Sequence, residues 1–254
     1  GVFGLVALVV GGFVALWGWR RRAYHDVISE TPTSRVLDVE EPGLVELTGE
    51  VVAGEGHGTL SAPLTREECV VAGWQVEEWN ERGDNSRWQT IAVGYESVPF
   101  SLDDGTAAVL VDPGEHATDT GLLSSAGNVG DLDDSVRDGE TTVDFQDFET
   151  AYRLAPSDPT PEPVEAFVQA ERSVGGQRGS LTNVLDWGNK HGERKYNVAT
   201  IRPGDEVYLL GKGEAADGRD GDHVRLRPED AVVTECYEGD TPFLLSGRSK
   251  DELL

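Results

Sequence analysis

The chain has 254 residues and carries 47 Asp and Glu against 21 Lys and Arg, a net charge of −26. Such a surface repels nucleic acid phosphates, which argues against direct nucleic acid binding. The acids run through the whole sequence and do not form a tail. The simplest reading is a surface adapted to a high-salt cytoplasm, as in halophilic archaea; a surface for cations or basic partners is the alternative.

Residues 1–19, GVFGLVALVVGGFVALWGW, contain no charge and no proline. At about 1.5 Å per residue they span roughly 28 Å, close to a hydrocarbon core of ~30 Å, and predict a transmembrane helix. Trp17 and Trp19 fall where indole rings favour the membrane interface, and Arg20, Arg21 and Arg22 follow at once. A cleaved signal peptide would carry its charge before the apolar run, not after it. The lipid bilayer is therefore an expected partner. The expected location is the cell membrane, single-pass, with the domain behind the arginines facing the cytoplasm. Residues 20–42 read as a juxtamembrane linker, polar and interrupted by Pro32 and Pro42.

Residues 43–254 read as one soluble domain. Alternation predicts a strand over 44–52, followed by a glycine-rich turn at 54–58. Branched and aromatic residues predict a strand over 69–79, and the Gly-Asp-Asn of 83–85 a hairpin connection to a return strand over 87–98. A short strand at 107–111 ends at Asp112-Pro113. Residues 114–140 are rich in Asp, Gly and Ser and read as an acidic loop; 213–222 read as a second. Asp131, Asp133, Asp134 and Asp138 invite a calcium reading. Ser135 and Val136 stand where a calcium loop needs its third ligand and its glycine, so the spacing argues against it. Val164, Phe167 and Val168 recur at helical spacing and predict a helix over 163–174, with Glu162 and Glu165 in its first turn. Further strands are expected from Tyr196 onward, at 206–210, 231–237 and 243–245. The expected fold is α+β: a mainly antiparallel β domain with one or two helices, preceded by one transmembrane helix.

No catalytic or metal site is legible, and no cofactor is expected. There is no Gly-x-Ser-x-Gly, no Cys-x-x-Cys and no His pair, and the Gly211-Lys212-Gly213 run lacks phosphate-loop spacing. Cys69 and Cys236 lie in apolar runs and read as buried thiols, although one disulfide is possible. The five histidines are isolated and read as solvated. Trp74, Trp79 and Trp88 on the predicted hairpin read most simply as core residues. As an alternative they form a contact surface for an unknown protein partner.

Several segments, in order, resemble the GIDE or beside-a-membrane domain. They are Gly49-Glu50-Val51, the run from Leu60 to Leu64, Cys69-Val70-Val71, and the tryptophans 79 and 88. After these come the runs from Val98 to Asp104, Val109 to Pro113 and Pro203 to Gly211, and finally Pro242 to Ser246. That family includes membrane-anchored RING-type ubiquitin ligases. The resemblance implies a membrane-proximal module, and family members carry a second membrane helix after the domain. With methionine absent even at position 1, a chain that continues at both ends is expected. The zinc ligands of a RING are missing from this sequence. The leading expectation is therefore a non-catalytic binding or scaffold module. The alternative is a ubiquitin-protein transferase acting with a zinc module outside these residues.

Overall fold

The computed structural model describes residues 27–54, 56–81, 86–114, 116–119, 135–138, 141–171, 174, 191–217, 225–234 and 243–254. The apolar stretch 1–19 lies outside the described residues. So do the interface residues Trp17, Trp19, Arg20, Arg21 and Arg22, as well as Cys236 and the aspartates 131, 133 and 134.

The strands in chain order begin with β1 (Gly43–Ala53), the two short strands β2 (Leu60–Ser61) and β3 (Glu68–Cys69), and then the long hairpin β4 (Val71–Asn80) and β5 (Arg87–Ser97). Next are β6 (Phe100–Asp103), β7 (Ala108–Asp112), β8 (His116–Asp119), β9 (Ser135–Asp138), β10 (Thr141–Asp144) and β11 (Glu149–Leu154). Helix α1 (Glu162–Ala170) precedes β12 (Arg194–Ile201), β13 (Glu206–Ala215), β14 (Ala231–Thr234), β15 (Phe243–Ser246) and the single turn α2 (Lys250–Leu253).

The expected α+β fold behind a transmembrane helix is corrected. Among the described residues the protein is mainly β, with 51% strand and 14% helix, and is built around a five-stranded β-barrel. No helix among the described residues is long and apolar enough to cross a membrane. The pairing closes a ring. β1 lies between β6 and β13, β6 pairs with β7, β7 runs parallel to β14, and β14 returns to β13. This order, with its one parallel pair, is that of an OB-type Greek-key barrel. The free part of β13's second edge, Tyr208 to Leu210, takes β15, which leads on to β10 and β9. A separate antiparallel sheet has the order β11-β12-β4-β5-β8.

Alternation explains the barrel. In β1, Val45, Leu47 and Val51 point inward to meet Phe100, Leu102, Val111, Leu209 and Phe243, while Leu44 and Val52 face out. The other sheet has two buried faces at its centre. One carries Ala72, Trp74, Val76, Tyr196 and Val198 under α1, whose Val164 and Phe167 are buried at the predicted spacing. The opposite face presents Val71, Gly73, Tyr95, Ala199 and Ile201 to the barrel core. The helix is shorter than expected. Glu171 leaves helical geometry (ψ 84°), and this turn folds Val174 back into the same core.

Other expectations change as well. The described part of the 20–42 linker is packed: residues 27–30 are helical, and Val36 and Val39 are buried in the barrel cluster. The Val36 N–H donates to Asp104 Oδ2 at 2.8 Å, which fixes this segment to the β6–β7 turn. Within the stretch 114–140, residues of β8 and β9 pair as strands, and residues 213–215 of the second acidic stretch belong to β13. Backbone pairing overrides their polar composition there. β6, β10 and β11 were not expected from the sequence either.

Candidate functional site

Period-2 geometry sorts the three hairpin tryptophans. Trp74 points to the α1 side, where it is 1% exposed and meets Phe167 edge-on at 5.9 Å. It is a core residue, so the contact reading fails for it: burial against α1 leaves no surface to offer. Trp79 lies an odd number of residues away and points to the opposite face. It opposes Trp88 across the hairpin, with ring centroids 5.4 Å apart at 61°. Both indoles are half-buried.

That face is covered by the barrel at Val71 and Gly73. From Gln75 outward it runs past the barrel and becomes polar. Strand pairing brings four chain segments together there. Glu77 opposes Lys195, Lys195 opposes Arg153, and the Glu193 carbonyl accepts from the Trp79 N–H. Trp88 lies over this row. Lys195 Nζ stands 4.3 Å from its ring centroid and Arg153 Cζ 5.5 Å, so two cations share one indole ring. Each such contact contributes about 0.5–1 kcal/mol at a partly exposed site.

Carboxylates position the cations. Arg153 Nε pairs with Glu193 Oε1 at 2.5 Å, and Lys195 Nζ lies 3.6 Å from Glu77 Oε2. Behind them Asn197 Nδ2 donates to Gln75 Oε1 at 3.1 Å and to Glu77 Oε2 at 3.2 Å, and Thr150 Oγ1 donates to Asn197 Oδ1 at 2.8 Å. At the tip, Trp79 Nε1 donates to Glu81 Oε1 at 3.2 Å, and the Glu81 N–H donates to His191 Nδ1 at 3.3 Å. The result is a fixed aromatic and charged patch at the outer end of the five-stranded sheet.

Sequence reasoning reached Trp79 and Trp88 but missed Arg153, Glu193 and Lys195. The usable signal was the basic pair Arg194-Lys195 entering an apolar strand. Alternation sends Lys195 to the tryptophan face and Arg194 to the other, where it is buried and pairs with Glu78 at 2.9 Å.

None of the side chains described in this patch is a serine or a cysteine. Cys69 is fully buried, and burial, with the nearby Glu96 carboxylate, pushes its thiol up to about 12, so it stays protonated. Among the described residues no group of three or more His, Cys, Asp or Glu is placed to hold a metal ion. No family model, no curated protein and no solved structure matches the chain.

Proposed function

We propose that the protein is a membrane-tethered, non-catalytic binding module that uses the Trp79–Trp88 face to hold a protein partner. The observation that carries this reading is a half-buried tryptophan pair, with Lys195 and Arg153 against the Trp88 ring, on a sheet face that runs past the barrel. Tryptophan and arginine are the residues that dominate protein–protein contact energies, and rigid, pre-positioned side chains lose little entropy on binding. The tether rests on the apolar run 1–19 and the arginines after it. The arginines argue for the domain on the cytoplasmic side, and the ordered resemblance to the beside-a-membrane domain supports a membrane-proximal placement. A ubiquitin-transferase role would need zinc ligands supplied by another polypeptide segment.

The test places a photo-crosslinking residue at Thr90, which shares the Trp88 face and opposes Glu77, or at Ser86, exposed just before β5, in cells, with Glu229 on an exposed turn as control. A discrete adduct at the hairpin, absent at Glu229 and lost in Trp79→Ala/Trp88→Ala, is expected. No adduct at either hairpin position overturns the reading. Sedimentation of broken cells tests the tether separately: intact protein left in the supernatant refutes it.

A further inference from the structure

Glu46 lies on the outward side of β1, where alternation predicts solvent, yet it is fully buried. Two segments remote in sequence cover it. From residues before β1, Thr33 Oγ1 donates to Glu46 Oε1 at 2.5 Å, and the Ser34 N–H donates to the Glu46 carbonyl at 2.8 Å. From the segment after β15, Lys250 Nζ reaches both carboxylate oxygens at 2.8 and 3.0 Å, and also the Thr31 carbonyl at 2.8 Å. Tyr208 OH completes the shell from β13 at 2.9 Å. Ile28, Tyr208, Leu210 and Leu244 close around the cluster, with Val27 and Leu253 against them.

Residues 247 and 248 are held separately, at Asp144 and Gln146; beyond them it is Lys250 that ties the segment to β1. α2 is one turn, far below the length at which a helix is stable alone, although Ser249 and Glu252 form a capping box. Its start is fixed by a second fully buried carboxylate, Asp144. Asp144 accepts from Ser246 Oγ at 2.6 Å and lies 3.5 Å from Arg248 Nε.

We infer that Glu46 is a latch that joins the segment before β1 to the segment after β15, so that the two open and close as one unit. A buried carboxylate that loses Lys250 keeps a charge without its counter-ion. The structure then relaxes by admitting water, which requires residues 27–33 to lift as well. A pull or a bound partner on either segment is thereby transmitted to the other. Lifting both would uncover the apolar side of Tyr208, Leu210 and Leu244.

Hydrogen exchange on the full chain tests this, with Lys250→Met as the first variant, since that side chain is partly exposed. Exchange of amides in 247–253 and in 27–34 is expected to rise together, by on the order of tenfold or more, with β6 and β7 unchanged. Thr33→Val attacks the latch from the other side and is expected to loosen the same two segments, including 247–253, which it does not touch. Release of 247–253 with 27–34 unaltered overturns the inference, and so does Lys250→Met leaving both unaltered.

Discussion

Gly73, on the five-stranded sheet, lies directly against Phe145 of the barrel cluster, and Gly73→Ala tests that junction. A methyl group there would sit 2.6 Å from Cζ and 2.9 Å from Cδ2 of Phe145, and closer still to Cε2. Carbon atoms prefer about 3.5–4.0 Å, so the ring must retreat by roughly 1 Å. It has little room: Phe145 is buried in the barrel cluster, 5.5 Å from Phe148, and follows β10, which is held in register by β9 and β15. Overpacking of this kind costs about 1–3 kcal/mol, offset by ~0.5–1 kcal/mol because alanine is less free than glycine in the unfolded chain. The net expectation is a loss of about 1–2 kcal/mol. For a chain of this size that lowers Tm by roughly 2–8 °C, read by near-ultraviolet circular dichroism in molar KCl. Adding Phe145→Leu should then cost less than it does alone, because the smaller side chain makes room for the methyl group. An unchanged or raised Tm in Gly73→Ala, or strictly additive losses in the double variant, would refute the claim that the ring rests on this glycine.

Much of the strand framework was legible because its signal is local. β1, β4, β5, β7 and β13 carry alternating or continuous branched residues, and the Asp103-Asp104-Gly105 turn carries its own side-chain hydrogen bonds to the backbone. What was not legible is non-local or masked by charge. The barrel closes through the parallel pairing of β7 with β14, from opposite halves of the chain, and no turn residue announces it. β8, β9 and the start of β12 are rich in charged or polar residues and become strands because a neighbour offers an edge. Glu46 is the sharpest case. Its strand was expected, and alternation placed it outward. Only the arrival of Lys250 from the other end of the chain makes that face interior. In the candidate site the reverse holds for Trp74. The odd separation between Trp74 and Trp79 already put them on opposite faces, so their division into core and surface could have been read from spacing alone.

Three further outcomes are expected. In a Cys236→Ser background, Cys69 should resist a thiol reagent at pH 8 until denaturant is added, since it is buried and its thiol is pushed up to about 12; rapid native labelling would contradict this placement. Trp74→Ala should cost about 3–5 kcal/mol in denaturant unfolding, and Trp88→Ala about 2 kcal/mol, from two cation–π contacts and one aromatic pair; a larger loss at Trp88 would reverse the assignment of core and surface. The last concerns Tyr208, whose phenol is raised by burial first and then by its hydrogen bond to the Glu46 carboxylate. In the unfolded chain a tyrosine ionises near pH 10, while the folded phenol keeps its proton. Above that pH the folded state binds more protons than the unfolded state, so stability falls as pH rises. The stabilisation is therefore whole below about pH 10 and is lost progressively beyond it. Tyr208→Phe removes both the hydrogen bond and the titration. It should be less stable than the parent by about 1.5–3 kcal/mol at pH 8, as expected for a hydrogen bond to a charged group. The gap should narrow between pH 10 and 11, because groups common to both proteins cancel in the difference. A gap that stays constant over that range would mean that the phenol titrates alike in both states. Tyr208 would then not be donating into a buried carboxylate.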